Sequence, residues 1–334
     1  MTAAAPTVDT ARSRPLDAVA GYVRRNAWTF GLILLLAGLF AFTKLIQPRY
    51  GPIPIQGLAT SVQPLVLAAV AQAIVVISGG IDLSIGSMMA LTSVVSASLM
   101  DKQSDQFGIL VVIGVMLLGL VIGGINGTLV VLTRVPDIVV TLAMSFVWAG
   151  CALLVRSGPG GGAAGWLKSI VVGPLGNEWI PKAAVVVLVV VFVIWIPLSR
   201  SRLGLSIYGI GSDRLAAFRS GVPVSRTRVL AYALTGLFSA LAGLSLTATT
   251  GIGSPVPGPY TLLSVAAVVL GGVSLAGGRG GVFGPIVAVV ILQIIQTDLT
   301  FLRFDSNYAL VAQGAILIVV TGFSSLLSIR RARS

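Results

Sequence analysis

VVISGGIDLSIGSMMA, residues Val75 to Ala90, breaks a long hydrophobic run with two glycines and an aspartate and then restarts it at once. A polar group in hydrocarbon must find partners, so a break of this kind predicts either a tight interfacial turn or part of a permeation path. The chain around it has the same apolar character. Of its 334 residues 56% are hydrophobic and only 10% charged, against roughly 25% charged in an average soluble domain. No long stretch has ordinary globular composition. The sequence therefore predicts an all-α polytopic membrane protein without a separate soluble domain.

A bilayer core about 30 Å thick takes about 20 apolar residues in a helix. Ten runs of about that length fall near 27–46, 58–78, 84–100, 108–132, 137–156, 181–198, 229–248, 261–277, 281–297 and 308–328. The third, eighth and ninth are short and are candidates for broken or re-entrant helices. Residues 1–26 carry arginines but no hydrophobic region, so they read as a cytoplasmic segment before an uncleaved first helix. Residues 27–328 form one transmembrane domain and 329–334 a cytoplasmic tail. The net charge of +12 reflects arginines at the ends of apolar runs, a topology signal rather than a nucleic-acid surface. With both termini inside, fifteen Lys and Arg fall on the cytoplasmic side and seven outside, as the positive-inside bias requires.

Two connections exceed a turn. The outer one, 157–181, begins SGPGGGAAGWLKSIV; its glycines predict an irregular loop, with Trp166 and Lys168 able to rest a short segment at the interface. The inner one, 199–228, holds six arginines. Within it Ser212 or Asp213 caps a short helix through Leu215, Ala216, Ala217, Phe218 and Arg219, and Gly221 with Pro223 stops it. Leu215 and Phe218 share a face. Such a loop either fixes orientation on anionic lipid or presents an apolar knob to a cytoplasmic partner.

Chemistry is narrowed by what is missing. There is no histidine, and no lysine follows a glycine, so zinc sites, serine-histidine hydrolysis and a phosphate loop of the G-x-x-x-x-G-K-[ST] form are excluded. Neither catalytic residues nor a metal site is expected. The single Cys151 allows no intrachain disulfide. Three acidic residues border the membrane. Asp137 follows Pro136 at a helix start and suits the macrodipole, Asp298 is expected to be solvated near the outer surface, and Asp82 is placed to cap the helix beginning near Ser84. Gln72, Asn126 and Thr141 are polar groups inside apolar runs and predict hydrogen bonds between helices. With Gly79, Gly80, Asp82 and Ser84, and with Phe146 and Trp148 as aromatic surfaces, they are also the candidate lining of a path for a neutral polyhydroxylated solute. A second glycine-rich stretch, LGGVSLAGGR at 270–279, aligns with SGGIDLSIGS at 78–87 through the paired glycines and the leucine that follows. The pair reads as a weak internal repeat of interrupted helices.

Four stretches together resemble the membrane subunit of bacterial ABC importers of the ribose, xylose and galactoside type: SGGIDLSIGS at 78–87, GGINGTLVVLTRVPDIVVTLAM at 123–144, GLSIYGIGSDRLAAFRSGV at 204–222 and VAAVVLGGVSLAGGRGGVFGPIVAVVIL at 265–292. The resemblance implies a non-enzymatic permease in the bacterial inner membrane, paired with a second copy or a paralogue. It also implies a cytoplasmic ATPase with two ATPase domains, which binds ATP and Mg, and an extracytoplasmic substrate-binding protein. By the same resemblance residues 212–221 dock in the ATPase, with Asp213, Ala216, Ala217, Ser220 and Gly221 at matching positions and Ser212, Arg214 and Phe218 beside them. Ser212 and Asp213 stand where relatives often have Gly-Asn, and Pro285 where a small residue is usual. The expected cargo is a monosaccharide. An ion-coupled secondary carrier, or an importer of a nucleoside or a branched-chain amino acid, are the alternatives.

Overall fold

The computed structural model describes residues 27–304 except 257, together with 308, 311, 314 and 315. The terminal segments 1–26 and 329–334 lie outside the described residues, as does nearly all of the run at 308–328. The elements in order are α1 (Ala27–Ile46), α2 (Pro52–Ile77), α3 (Ile85–Met100), α4 (Asp105–Thr133), α5 (Asp137–Val155), α6 (Gly165–Val171), β1 (Pro174–Leu175), β2 (Asn177–Pro181), α7 (Lys182–Arg200), α8 (Arg202–Ser212), α9 (Arg214–Arg219), α10 (Val224–Thr250), α11 (Tyr260–Leu270) and α12 (Phe283–Phe301). Seven of these helices are long and apolar enough to span a bilayer: α1, α2, α4, α5, α7, α10 and α12. α3 and α11 are apolar but shorter. The chain is therefore an all-α polytopic membrane protein, with one small antiparallel hairpin, β1–β2, among the described residues.

α2 is the axis of the bundle. Its sequence from Leu65 to Ile77 is small or branched and apolar apart from Gln72, and a helix apolar nearly all round has no face to give to water. Every residue from Pro64 to Ile77 is buried. α10 lies against it, with the Thr235 hydroxyl on the Ala71 carbonyl at 3.2 Å, and α4 and α3 pack on α10 in turn.

The α4–α10 seam rests on a stripe of glycines at 119, 123 and 127, each four residues after the last and therefore on one helix face. A Cβ on Gly119 would stand 2.6 Å from the Gly236 carbonyl oxygen, and one on Gly127 would stand 2.9 Å from the Val229 Cα. Where lipid is as apolar as protein, such backbone contact supplies the van der Waals attraction that holds helices together.

Several expectations change. The run at 261–277 is helical only over α11, the following span begins at Phe283, and the inner loop contains two helices, α8 and α9, where one was expected. The outer glycine stretch is folded. Gly160 and Gly253 exchange backbone hydrogen bonds, Gly162 N donates to Ala97 O at 3.0 Å, and the Asp105 carboxylate takes the Gly165 amide at 2.8 Å. Glycine here serves close approach to Ala97 rather than disorder, since a Cβ on Gly161 would fall 2.5 Å from that carbonyl oxygen. Asp298 is buried and accepts from Thr43 Oγ1 at 2.7 Å instead of facing solvent.

Substituting Gly123→Leu should destabilise the detergent-purified protein by about 1–3 kcal/mol or more through overpacking, seen as a lower Tm. Gly124→Leu, where the nearest atom is Ala233 Cβ at 4.0 Å, should leave Tm nearly unchanged. Equal losses at the two positions would refute the glycine seam.

Candidate functional site

α2 stops because Gly79 takes φ +80, a conformation only glycine adopts without strain. The turn is a Schellman cap: Gly79 N donates to Val76 O at 2.9 Å and Gly80 N to Val75 O at 3.0 Å. The same pair of bonds closes α11, where Gly272 also has φ +80 and where Gly272 N and Val273 N donate to Val269 O and Val268 O. The internal repeat is thus a repeated helix stop, but Gly79 corresponds to Gly272, one residue off the register in which the paired glycines align.

Beyond the turn the chain is irregular to Ser84, and its polar groups are met by side chains from other helices. Thr141 Oγ1 on α5 accepts from Leu83 N at 3.1 Å and donates to Asp137 O at 2.8 Å. A directed chain of hydrogen bonds follows. Trp148 Nε1 donates to Asn126 Oδ1 at 3.0 Å, Asn126 Nδ2 to Ser84 Oγ at 2.7 Å, and Ser84 Oγ to Asp82 Oδ1 at 2.6 Å. All four side chains are buried, Trp148 being the most exposed at 8%. Asp82 Oδ1 also accepts from Ser84 N at 2.8 Å. The carboxylate therefore braces the residue before α3 instead of capping the helix itself. The Gly86 amide goes to Thr261 Oγ1 at 2.9 Å, which brings the N-terminal ends of α3 and α11 together.

Beside that junction a cavity of about 290 Å³ is lined by Leu83, Gly86, Ser87, Ser145, Phe146 and Thr261, among others. Phe146 is 72% exposed at its rim. It faces away from Trp148, so the two aromatics do not form one surface. The structure thus gathers Asp82, Ser84, Asn126, Thr141 and Trp148 into one network, sets Phe146 at the cavity, and puts Gly79 and Gly80 at the base of the break. Gln72 is fully buried in α2 with neither amide atom hydrogen-bonded, so the expected bond between helices is not made there. Ser87, Ser145 and Thr261 were not singled out from the sequence. Ser87 sits one helical turn after Ser84, the only local hint of its position.

At the opposite end of the break lies the loop that was read as a docking knob. Asp213 is the cap: its Oδ1 accepts from Leu215 N at 2.8 Å and Ala216 N at 2.9 Å. Ser212 is not; it ends α8 and its hydroxyl returns to Tyr208 O. After Ser220, Gly221 at φ +82 closes α9 with a third Schellman cap. Leu215 and Phe218 stand 58% and 68% exposed, while Ala217 packs inward and Ala216 stays open. Arg214 turns back toward the break, its Nη2 donating to Gly79 O at 2.9 Å. Asp137 does begin α5, and in addition it receives Arg228 Nη2 on both carboxylate oxygens at 2.6 and 2.7 Å and the Tyr232 hydroxyl at 2.8 Å. Gly278 N donates to Ile77 O at 2.9 Å, bringing the second glycine-rich stretch to the same face. This face carries Arg134, the inner-loop arginines and Arg279, as the charge bias requires of the cytoplasmic side.

Comparison with known proteins identifies the family. The family described as "Branched-chain amino acid transport system / permease component" matches residues 55–321. The ribose import permease protein of Bacillus subtilis is 33% identical over 86% of this chain and 90% of its own length. The corresponding protein of Escherichia coli K12 is 31% identical over 76% and 79%. The fructose import permease protein of Rhizobium meliloti is 30% identical over 86% and 82%. No solved structure matches the chain at a significant level. With its interrupted α2–α3 pair, its capped inner helix and a family match over most of its length, the chain belongs to the permease components of ABC importers.

Proposed function

We propose that this chain forms the membrane path of an importer that carries a monosaccharide inward by alternating access, driven by ATP hydrolysis in a separate subunit. The observation that carries the reading is the cavity at the α3–α11 junction. Its hydroxyls, Ser87, Ser145 and Thr261, stand beside the exposed ring of Phe146, and no charged side chain lines it. Hydroxyl groups and an aromatic face suit a neutral polyol. An amino-acid zwitterion would call for fixed charges. The names of the relatives, which import ribose, allose and fructose, support the same substrate class.

In this reading α9 inserts its exposed Leu215 and Phe218 into a groove of a cytoplasmic ATPase, which supplies ATP and Mg chemistry. A substrate-binding protein delivers the sugar to the opposite face, and a second copy or a paralogue completes the path. The setting is the inner membrane of a bacterial cell. An ion-coupled carrier is the rival, favoured by one observation: Asp82 is fully buried and its Oδ2 has no hydrogen-bond partner.

Proteoliposomes separate the two. The chain reconstituted with its ATPase and binding protein should take up labelled pentose or hexose only with ATP, whereas the chain alone under a proton or sodium gradient should take up none. Gradient-driven uptake by the chain alone would overturn the proposal. Deleting residues 212–221 should leave an inserted protein that no longer co-purifies with the ATPase; retained binding would remove the docking role. Ser87→Ala together with Phe146→Ala should raise the half-saturating sugar concentration for uptake about tenfold, the loss expected when one hydrogen bond and one ring contact go. An unchanged value would place the path elsewhere.

A further inference from the structure

Of the six arginines in the inner loop, Arg214 and Arg228 are the two whose side chains hydrogen-bond to other described residues. Both bonds lead to the break between α2 and α3, at opposite ends of it. Arg214 holds Gly79 O directly, at 2.9 Å. Arg228 holds the Asp137 carboxylate. The same residue's main-chain oxygen takes the Thr141 hydroxyl at 2.8 Å, and that hydroxyl accepts from Leu83 N at 3.1 Å. One residue further is Ser84, which carries the hydrogen-bond chain to Asn126 and Trp148 and precedes the cavity-lining Gly86 and Ser87.

We propose that Arg214 is a positioning residue for transport: it yokes the docking helix α9 to Gly79 at one end of segment 79–83, while Arg228, in the first turns of α10, anchors the other end through Asp137, so that a displacement of α9 is delivered along the segment to Ser84 and the cavity. The proposal rests on the reading of α9 as the ATPase-docking element and adds to it how the motion enters the membrane.

Packing around the yoke leaves little slack. Gly211, at the end of α8, has no room for a Cβ, which would stand 2.6 Å from Gly278 N. A Cβ on Gly277 would stand 2.7 Å from Gly211 O and 2.8 Å from Gly79 Cα. Three backbones thus touch without side chains between them, and close-packed backbone passes a displacement on instead of absorbing it. Among the described residues Arg226 shares the loop and its charge but makes no such bond, and it lies outside the docking segment 212–221, which makes it an internal control.

The test uses the reconstituted importer and reads sugar moved per ATP hydrolysed. Arg214→Ala should keep the co-purifying ATPase and its ATP turnover while the transport ratio falls about tenfold, within the range of ordinary coupling energies. Arg214→Lys, which keeps a long donor, should recover most of the ratio, and Arg226→Ala should match the parent. A parental ratio in Arg214→Ala, or an equal fall in Arg226→Ala, overturns the proposal. If Arg214→Ala fails to insert, Arg214→Lys against Arg214→Gln carries the comparison, and equal ratios for the two overturn it. Absence of ATP-driven uptake in the parent importer would instead defeat the proposed function. The yoke is then judged on the purified chain by amide hydrogen exchange at 79–86, which Arg214→Ala should speed and Arg226→Ala should not; no difference between them overturns it.

Discussion

Every backbone amide and carbonyl within hydrocarbon must be hydrogen-bonded by protein, and the structure is organised around a place where a helix cannot do this. Between Ile77 and Ile85 the chain abandons the helix, and side chains answer polar groups there and in the first turn of α3. Thr141 of α5 serves Leu83, Thr261 of α11 serves Gly86, Asp82 within the break serves Ser84, and Asn126 of α4 meets the Ser84 hydroxyl. The break persists because three neighbouring helices are held where their polar side chains can reach it, and in return it fastens those helices to one another.

Close approach is achieved by leaving side chains out. On α4 the glycine stripe lets α10 reach backbone contact, and at the arginine-bearing face Gly79, Gly211, Gly277 and Gly278 bring three separate segments together. These two uses differ in consequence. The stripe secures long parallel surfaces that stay together, whereas the inner junction joins three chain reversals, the elements best placed to move as a unit when the attached helix is pushed. Small residues in the first case fix the bundle and in the second connect it to its surroundings.

Polar residues divide in the same way. Trp148, Asn126, Ser84 and Asp82 form a buried chain with every link directed toward the carboxylate, a network that specifies one arrangement of α3, α4 and α5. Ser87, Ser145 and Thr261 instead line an opening. The candidate path is therefore the hydroxyl-bearing side of the junction, and the buried chain is the frame that keeps it in place.

The sequence by itself determined the membrane class, the places where long helices run, the interruption at 78–84, and the capped helix after Asp213. Each follows from local rules: apolar run length against bilayer thickness, glycine at positive φ, and a short acceptor before a helix. It also placed Asp82, Ser84, Asn126, Thr141 and Trp148 among the candidates, because a polar group in an apolar run has to be answered. Only the tertiary structure decided who answers. That Asn126 meets both Ser84 and Trp148, that Asp298 is covered by Thr43, that Gln72 is left without a partner, and that Arg214 reaches back to Gly79 all depend on contacts between residues far apart in the chain. So does the folding of the outer glycine loop, whose composition suits disorder and close packing alike. Local propensity fixes where a helix stops; which side chain replaces the hydrogen bonds it loses there is set by how the helices cross.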